Sequence, residues 1–373
     1  MKHTVEGLLD LHRAFWRMED LTECLVNFER ERVERRAYMW GPPEAVPKLS
    51  ELQLADGRIA SEGLVLEPWM LSPTKAHPLG LLMKKAKRKV ANLGETFQTF
   101  PPYFKIPWIE AVAGCKLEVA AKSDCVWSRH YLNRNWYEKE DSLRLNEEWT
   151  RKLLEFTHYL EQELHGSIPV VQTLMRGPCD MLSAIMGVEE MCMSMATHPT
   201  ETQELLRLLT DLFIRVASAQ VEAVPRFRGG YCNSFGLWAP GTSIRTQDDQ
   251  SVSLNPRLYE KFILPFQKNI AQNFDYSVMH LHTGAGLRIL DMFLHAEEVS
   301  AINVTFDPPP WGPSVEELIP ILKKIQTGKP LIFDGSFTDD ELSRILEQLS
   351  PRGLLVFVHS LTPRIDQFGT YKQ

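Results

Sequence analysis

Two histidines one residue apart close an apolar run in Met279-His280-Leu281-His282-Thr283-Gly284. Side chains alternate along a strand, so an extended backbone there turns both imidazoles to the same face. A third imidazole, His359, closes a second run of the same kind, Leu354-Leu355-Val356-Phe357-Val358-His359. Three neutral imidazoles about 2.0–2.1 Å from a zinc ion, with the fourth position open, would make a catalytic rather than a structural metal centre. The alternative is that each histidine hydrogen-bonds separately in a polar pocket or at a rim.

Whether these residues meet depends on the elements that carry them. Short apolar or β-branched runs alternate with longer helical patterns, which implies a parallel sheet with crossover helices. Eight candidate strands, at 37–40, 116–121, 168–174, 229–236, 276–282, 299–306, 330–334 and 354–359, predict an α/β fold, a closed (β/α)8 TIM barrel. Ahead of it, Val5, Leu8, Leu9, Leu11, Phe15, Trp16, Leu21, Leu25, Val26 and Phe28 fall on one helix face, predicting an N-terminal helical extension over 1–36. Residues 37–373 then form one barrel domain, with an insertion over about 41–115 that would cap the mouth or meet a partner. Several helices carry start signals. Asn255-Pro256 sets an Asn cap before a proline, Ser314-x-x-Glu317 and Thr338-x-x-Glu341 read as capping boxes, and Thr200-x-x-Gln203 opens a long periodic stretch.

A (β/α)8 barrel builds its active site at the carboxyl ends of its strands. On the predicted strands, His280 and His282 close the fifth, His359 the eighth and Asp334 the seventh. Asn303 lies within the sixth with Asp307 after it, and Arg176 and Asp180 follow the third. The fifth and eighth strands are not neighbours, so the histidines can meet only across the mouth. Asp334, Asp248 and Arg176 are the candidate catalytic groups, and Asp249 a further carboxylate beside Asp248. Trp108, Trp127, Trp238 and Trp311 are candidate substrate-binding aromatics, although large aromatics are equally ordinary packing. Gly284-Ala285-Gly286 could offer backbone amides to an anion, or be a simple strand-to-helix turn.

Composition removes several function classes. The chain has 373 residues, 44% hydrophobic and 24% charged, which suits a large globular core. The net charge of −7, with both signs well mixed, leaves no footprint for nucleic acid or an anionic membrane, so the expected partner is a small molecule. No uninterrupted apolar stretch approaches the roughly 18 to 20 residues of a membrane helix. Charge interrupts the N-terminus before any signal-peptide core, and six scattered cysteines without a Cys-x-x-Cys pair suit free thiols. The expected location is cytoplasmic, and a homodimer is compatible with this reading.

Several stretches resemble the uroporphyrinogen decarboxylase-like superfamily. They are Phe104-Lys105-Ile106-Pro107-Trp108-Ile109-Glu110-Ala111-Val112-Ala113-Gly114-Cys115, Gly177-Pro178-Cys179-Asp180-Met181-Leu182 and Leu237-Trp238-Ala239-Pro240-Gly241. Asn255-Pro256-Arg257-Leu258-Tyr259-Glu260-Lys261-Phe262 and the segment from His280 to Gly284 complete the set, in the right order from about residue 100 onward. The resemblance implies a (β/α)8 barrel and one of two chemistries. One branch decarboxylates a carboxylated ring without a cofactor. The other comprises corrinoid-linked methyltransferases that hold zinc with a His-x-Cys pair and a distant cysteine. In that second pattern His280 falls on the family's histidine, His282 on its first cysteine and His359 near its second.

An all-histidine set leaves zinc its full 2+ charge where two thiolates would neutralise it, favouring the polarisation of an oxygen. The resemblance thus implies a zinc-dependent methyltransferase moving a methyl group between a small, methoxylated substrate and a corrinoid (cobalamin) on a partner protein. The alternative within the superfamily is a metal-free decarboxylase of a porphyrinogen or other carboxylated ring, for which Arg35 and Arg36 would meet substrate carboxylates. A third reading is a barrel that binds a corrinoid or aromatic ligand without turnover.

Overall fold

The computed structural model describes residues 4–22, 24–28, 48–77, 95–138 and 143–361. Six strands form one parallel sheet, in the order β1 (Leu25–Phe28), β11 (Leu354–Leu361), β10 (Leu331–Phe337), β9 (Ala301–Thr305), β8 (Tyr276–His282) and β7 (Ser243–Gln247). The strands are buried on both faces because helices cover the outside and a second core fills the inside, hence the largely apolar composition of all but β7. Inside, Leu25, Val278, Ala301, Ile332, Leu355 and Phe357 pack together with Phe15 of the helix α1 (Val5–Trp16).

Two irregular segments lie between the edge strands β1 and β7. The Glu95 backbone N–H donates to Val26 O at 3.3 Å, and Phe100 and Pro169 to Val171 exchange N–H···O bonds of 3.0 Å in a parallel bridge. The Gln172 side chain then bonds both backbone groups of Arg245 on β7, at 3.0 and 3.3 Å. Residues 95–100 and 168–172 therefore supply the two remaining staves of a (β/α)8-type barrel. Pro101, Pro102 and Pro169 lack the N–H a regular ladder needs, which explains why these staves are irregular.

Four of the expected strands appear close to their predicted places, at β8 to β11. The expected strand at 168–174 is represented by the irregular stave at 168–172, and the other three need correction. Residues 116–121 do form a strand, β3 (Lys116–Ala120), but it lies between β2 (Val65–Leu66) and β4 (Cys125–Arg129) in a separate antiparallel sheet. Residues 229–236 contribute only a short hairpin, β5 (Tyr231–Cys232) against β6 (Trp238–Ala239). Residues 37–40 lie outside the described residues. The stretch expected to be helical to about residue 30 is helical only to Trp16, and β1 within it pairs with β11 as a barrel stave. Leu25, Val26 and Phe28 fit a helical period by spacing, yet their pairing with β11 holds them extended.

The start signals fare better. Ser314 and Thr338 form the expected capping boxes, and Asn255 accepts from Leu258 N–H. The long helix begins one residue before the expected Thr200, at Pro199, and runs to Glu222.

Candidate metal centre

His280 and His282 stand on the inward face of β8, as the period-two reading predicts, with ring centroids 4.9 Å apart. Each ring is fixed from behind by its Nδ1. For His282 the partner is Asp307 Oδ1 at 2.9 Å. A carboxylate oxygen can only accept, so Nδ1 carries a proton, and in the neutral ring Nε2 is the nitrogen that offers a lone pair. For His280 the partner is Asn303 Oδ1 at 2.5 Å. The orientation of that amide is set by its Nδ2, which donates to Asp334 Oδ1 at 2.5 Å and Ile332 O at 3.2 Å. Nδ1–H of His280 therefore donates as well, and its Nε2 is left as a ligand atom. Burial, with Arg245 nearby, pushes His280 well below the usual histidine range and keeps the imidazole neutral.

The third group that converges is a carboxylate. Among the described residues, ligand atoms of Asp249, His280 and His282 lie within 4.8 Å of one another. Gln247 Nε2 donates to Asp249 Oδ2 at 2.7 Å and aims it. The three residues line a cavity of about 350 Å³ with Asp248, Asp307, Trp311 and the Gly284-Ala285-Gly286 turn. Two imidazoles, each with its remote nitrogen held by an oxygen, and an oriented carboxylate are a donor set suited to zinc or another divalent transition metal.

His359 does not join this group. Its Nε2 donates to Asp334 Oδ2 at 2.8 Å, while Asp334 Oδ1 also accepts from Thr305 Oγ1 at 2.7 Å. Two of the three expected imidazoles thus stand at the ends of a line, His280–Asn303–Asp334–His359, while His282 is held by Asp307. Topology is the reason. β9 and β10 separate β8 from β11, whereas β7, whose end leads into Asp249, is the immediate neighbour of β8. Burial alone would raise Asp334, but His359, His280 and Asn303 together hold its carboxyl below the usual carboxylate range.

The other expected site residues divide. Asp248 lines the cavity, but its carboxylate accepts from Tyr259 Oη at 2.7 Å, Gln267 Nε2 at 2.6 Å and Cys179 N–H at 3.0 Å. Burial raises it to about 7. A Cβ on Gly177 would collide with Gln267 and Asp248, so glycine there lets the loop close onto this carboxylate. Arg176 is ion-paired with the buried Glu110 and does not line the cavity. Trp311, 79% exposed, flanks the cavity as expected of a substrate-binding aromatic.

Trp108 and Trp238 instead belong to the core, their Nε1–H donating to Tyr103 O and Phe227 O. Trp127 is exposed on the antiparallel sheet and does not line the cavity. Arg36, with Arg35, lies outside the described residues. The Gly284 amide, a candidate anion donor, is engaged by Asp307 Oδ2 at 2.9 Å. Sequence reasoning missed Gln247 and Arg245. The alternation of Ser243, Arg245 and Gln247 was the available signal, masked because these polar residues point into the barrel.

Residues 97–226 match the family model of uroporphyrinogen decarboxylase (URO-D). No curated protein matches the chain. In structure the chain is similar to a methyltransferase from Methanosarcina mazei, with a TM-score of 0.59 and 15% identity over 95% of this chain and 93% of that one. The fold is therefore the α/β barrel predicted from the strand pattern.

Proposed function

We propose that the protein is a zinc-dependent methyltransferase that moves a methyl group from a small, oxygen-linked donor to a corrinoid carried by a partner protein. The observation that carries the reading is the convergence of His280, His282 and Asp249, both imidazoles having Nδ1 tied to an oxygen and Nε2 left for a metal. The structural likeness to a methyltransferase and the superfamily resemblance support the reaction class. The chemistry zinc supplies is Lewis acidity toward the donor's oxygen. A set of two imidazoles and one carboxylate cancels only one of its two charges, whereas two thiolates cancel both.

The chain's own residues prepare that site. Asp307 and Asn303 hold the two imidazoles in the ligating tautomer, and Gln247 aims the carboxylate. Trp311 and the cavity wall would position the donor's methyl group toward the opening, where a corrinoid-bearing partner would dock. Zinc-loaded protein mixed with methoxylated aromatic compounds and cob(I)alamin should generate the absorbance of methylcobalamin. The His282→Ala variant should not. Carbon dioxide release from a carboxylated ring by chelator-treated protein, with no methyl transfer, would contradict this reading and favour the decarboxylase branch.

A further inference from the structure

Arg245 is a buried cation without an acidic partner. It sits on the inward face of β7, 8% exposed, and among the described residues no carboxylate lies within ion-pair distance of it. Its Nη1 donates to Gln247 Oε1 at 2.7 Å, and its guanidinium carbon stands 5.8 Å from the centre of the Phe235 ring. The acidic groups that share its field are engaged elsewhere, Asp334 by His359, Asn303 and Thr305, and Asp249 by Gln247. Burial lowers its pKa to about 10, which leaves it charged at neutral pH. A buried charge held this way is costly unless something compensates it.

The free side of Arg245 faces a small cavity. Gln172, Thr173, Leu174, Ser234 and Arg245 enclose about 10 Å³, roughly the space of one water-sized occupant. The polar groups of Gln172 and Thr173 on this wall are already bonded, to Arg245, Gln220 and Pro102. Two polar atoms remain without partners, Arg245 Nε and Ser234 Oγ, and Ser234 is 6% exposed. Both can donate, so their complement is an acceptor. A water would satisfy the hydrogen bonds but leave the charge.

We infer that Arg245 and Ser234 form a binding site for a compact anionic acceptor inside the barrel, filled either by a free halide or by a carboxylate oxygen reaching in from the substrate. The inference does not depend on methyl transfer or on the metal. It assigns Arg245 as an anion anchor in either branch of the superfamily.

The test uses the full-length protein at constant ionic strength, with bromide, formate or the bulky methanesulfonate as the varied anion. Bromide or formate should raise the melting temperature saturably, by ~2–4 °C, while methanesulfonate should not. A bromide-soaked crystal should show an anomalous peak beside Arg245 Nε. A larger effect of formate assigns the site to a carboxylate, and an effect of bromide alone assigns it to a halide. Ser234→Ala should weaken the response and Arg245→Met abolish it. Identical melting in all three salts, with only water beside Arg245 in the wild-type crystal, would overturn the proposal whether or not the Arg245 variant folds.

Discussion

The same barrel strands end in two different chemistries. Toward their amino ends Leu25, Val278, Ala301, Ile332 and Leu355 fill the interior with aliphatic side chains, covered by Phe15 of α1. Two to four residues further along the same inward faces stand His282, bonded to Asp307, and His280, Asn303, Thr305, Asp334 and His359, joined by hydrogen bonds of which those to the Asp334 carboxylate are charge-assisted. One end is a packed core, and the other is a polar network that costs stability to assemble and is retained for what it holds. A buried histidine near the apolar end makes the contrast clear. His12 Nδ1 accepts from Trp238 N–H at 2.9 Å, and its Nε2 bonds Glu95 O at 2.6 Å. Both ring nitrogens of His12 face backbone, so it is a strut. His280 and His282 each keep one nitrogen for a ligand.

Substitutions should separate the two ends. His280→Ala should weaken zinc binding on the order of 100-fold or more, measured by competition with a chromophoric chelator, because it removes a ligand outright. At the apolar end, Ile332→Ala should lower unfolding stability by about 2–5 kcal/mol in a denaturant titration and leave zinc affinity within a few-fold of wild type. If Ile332→Ala instead costs as much zinc affinity as His280→Ala, the two ends are not separable.

Acid should destabilise the fold through the strut. Burial lowers His12 to about 4 from 6.5, despite the Glu95 carbonyl that favours its protonated form. The unfolded chain then binds a proton more readily than the folded one between these values. Its stabilising contribution, ~3 kcal/mol, is complete above about pH 6.5 and is lost as the pH falls through about 4. Urea midpoints measured across that window should fall more steeply for the wild type than for His12→Gln. The smallest expected effect belongs to Asp307→Ala, which frees His282 without removing it and should cost about 10-fold in zinc affinity.

Much of the polar end was legible in the sequence. The period-two spacing of His280 and His282 places both rings on one face, and the strand pattern puts Asn303 within its strand, Asp307 just after it and Asp334 at a strand end. The carboxylate that converges with the two histidines was not. Asp249 follows the polar strand β7, whose inward Ser243, Arg245 and Gln247 break the apolar pattern by which strands are recognised. The resemblance pointed to His359 instead, and only the strand order shows that Asp334 and Asn303 intervene. The stave at 168–172 falls within the expected strand at 168–174, whereas the stave at 95–100 was obscured by proline and short length, and β1 by a spacing that equally fits a helix.

The central claim is that one metal ion sits between His280, His282 and Asp249 while His359 remains with Asp334. Elemental analysis of purified protein, paired with an anomalous-difference map at the zinc edge, tests it most directly. The account predicts about one zinc per chain, with a single peak bounded by these three side chains and about 2.0–2.2 Å from their ligand atoms. A metal-free protein, or a peak ligated by His359 in place of Asp249, would contradict it.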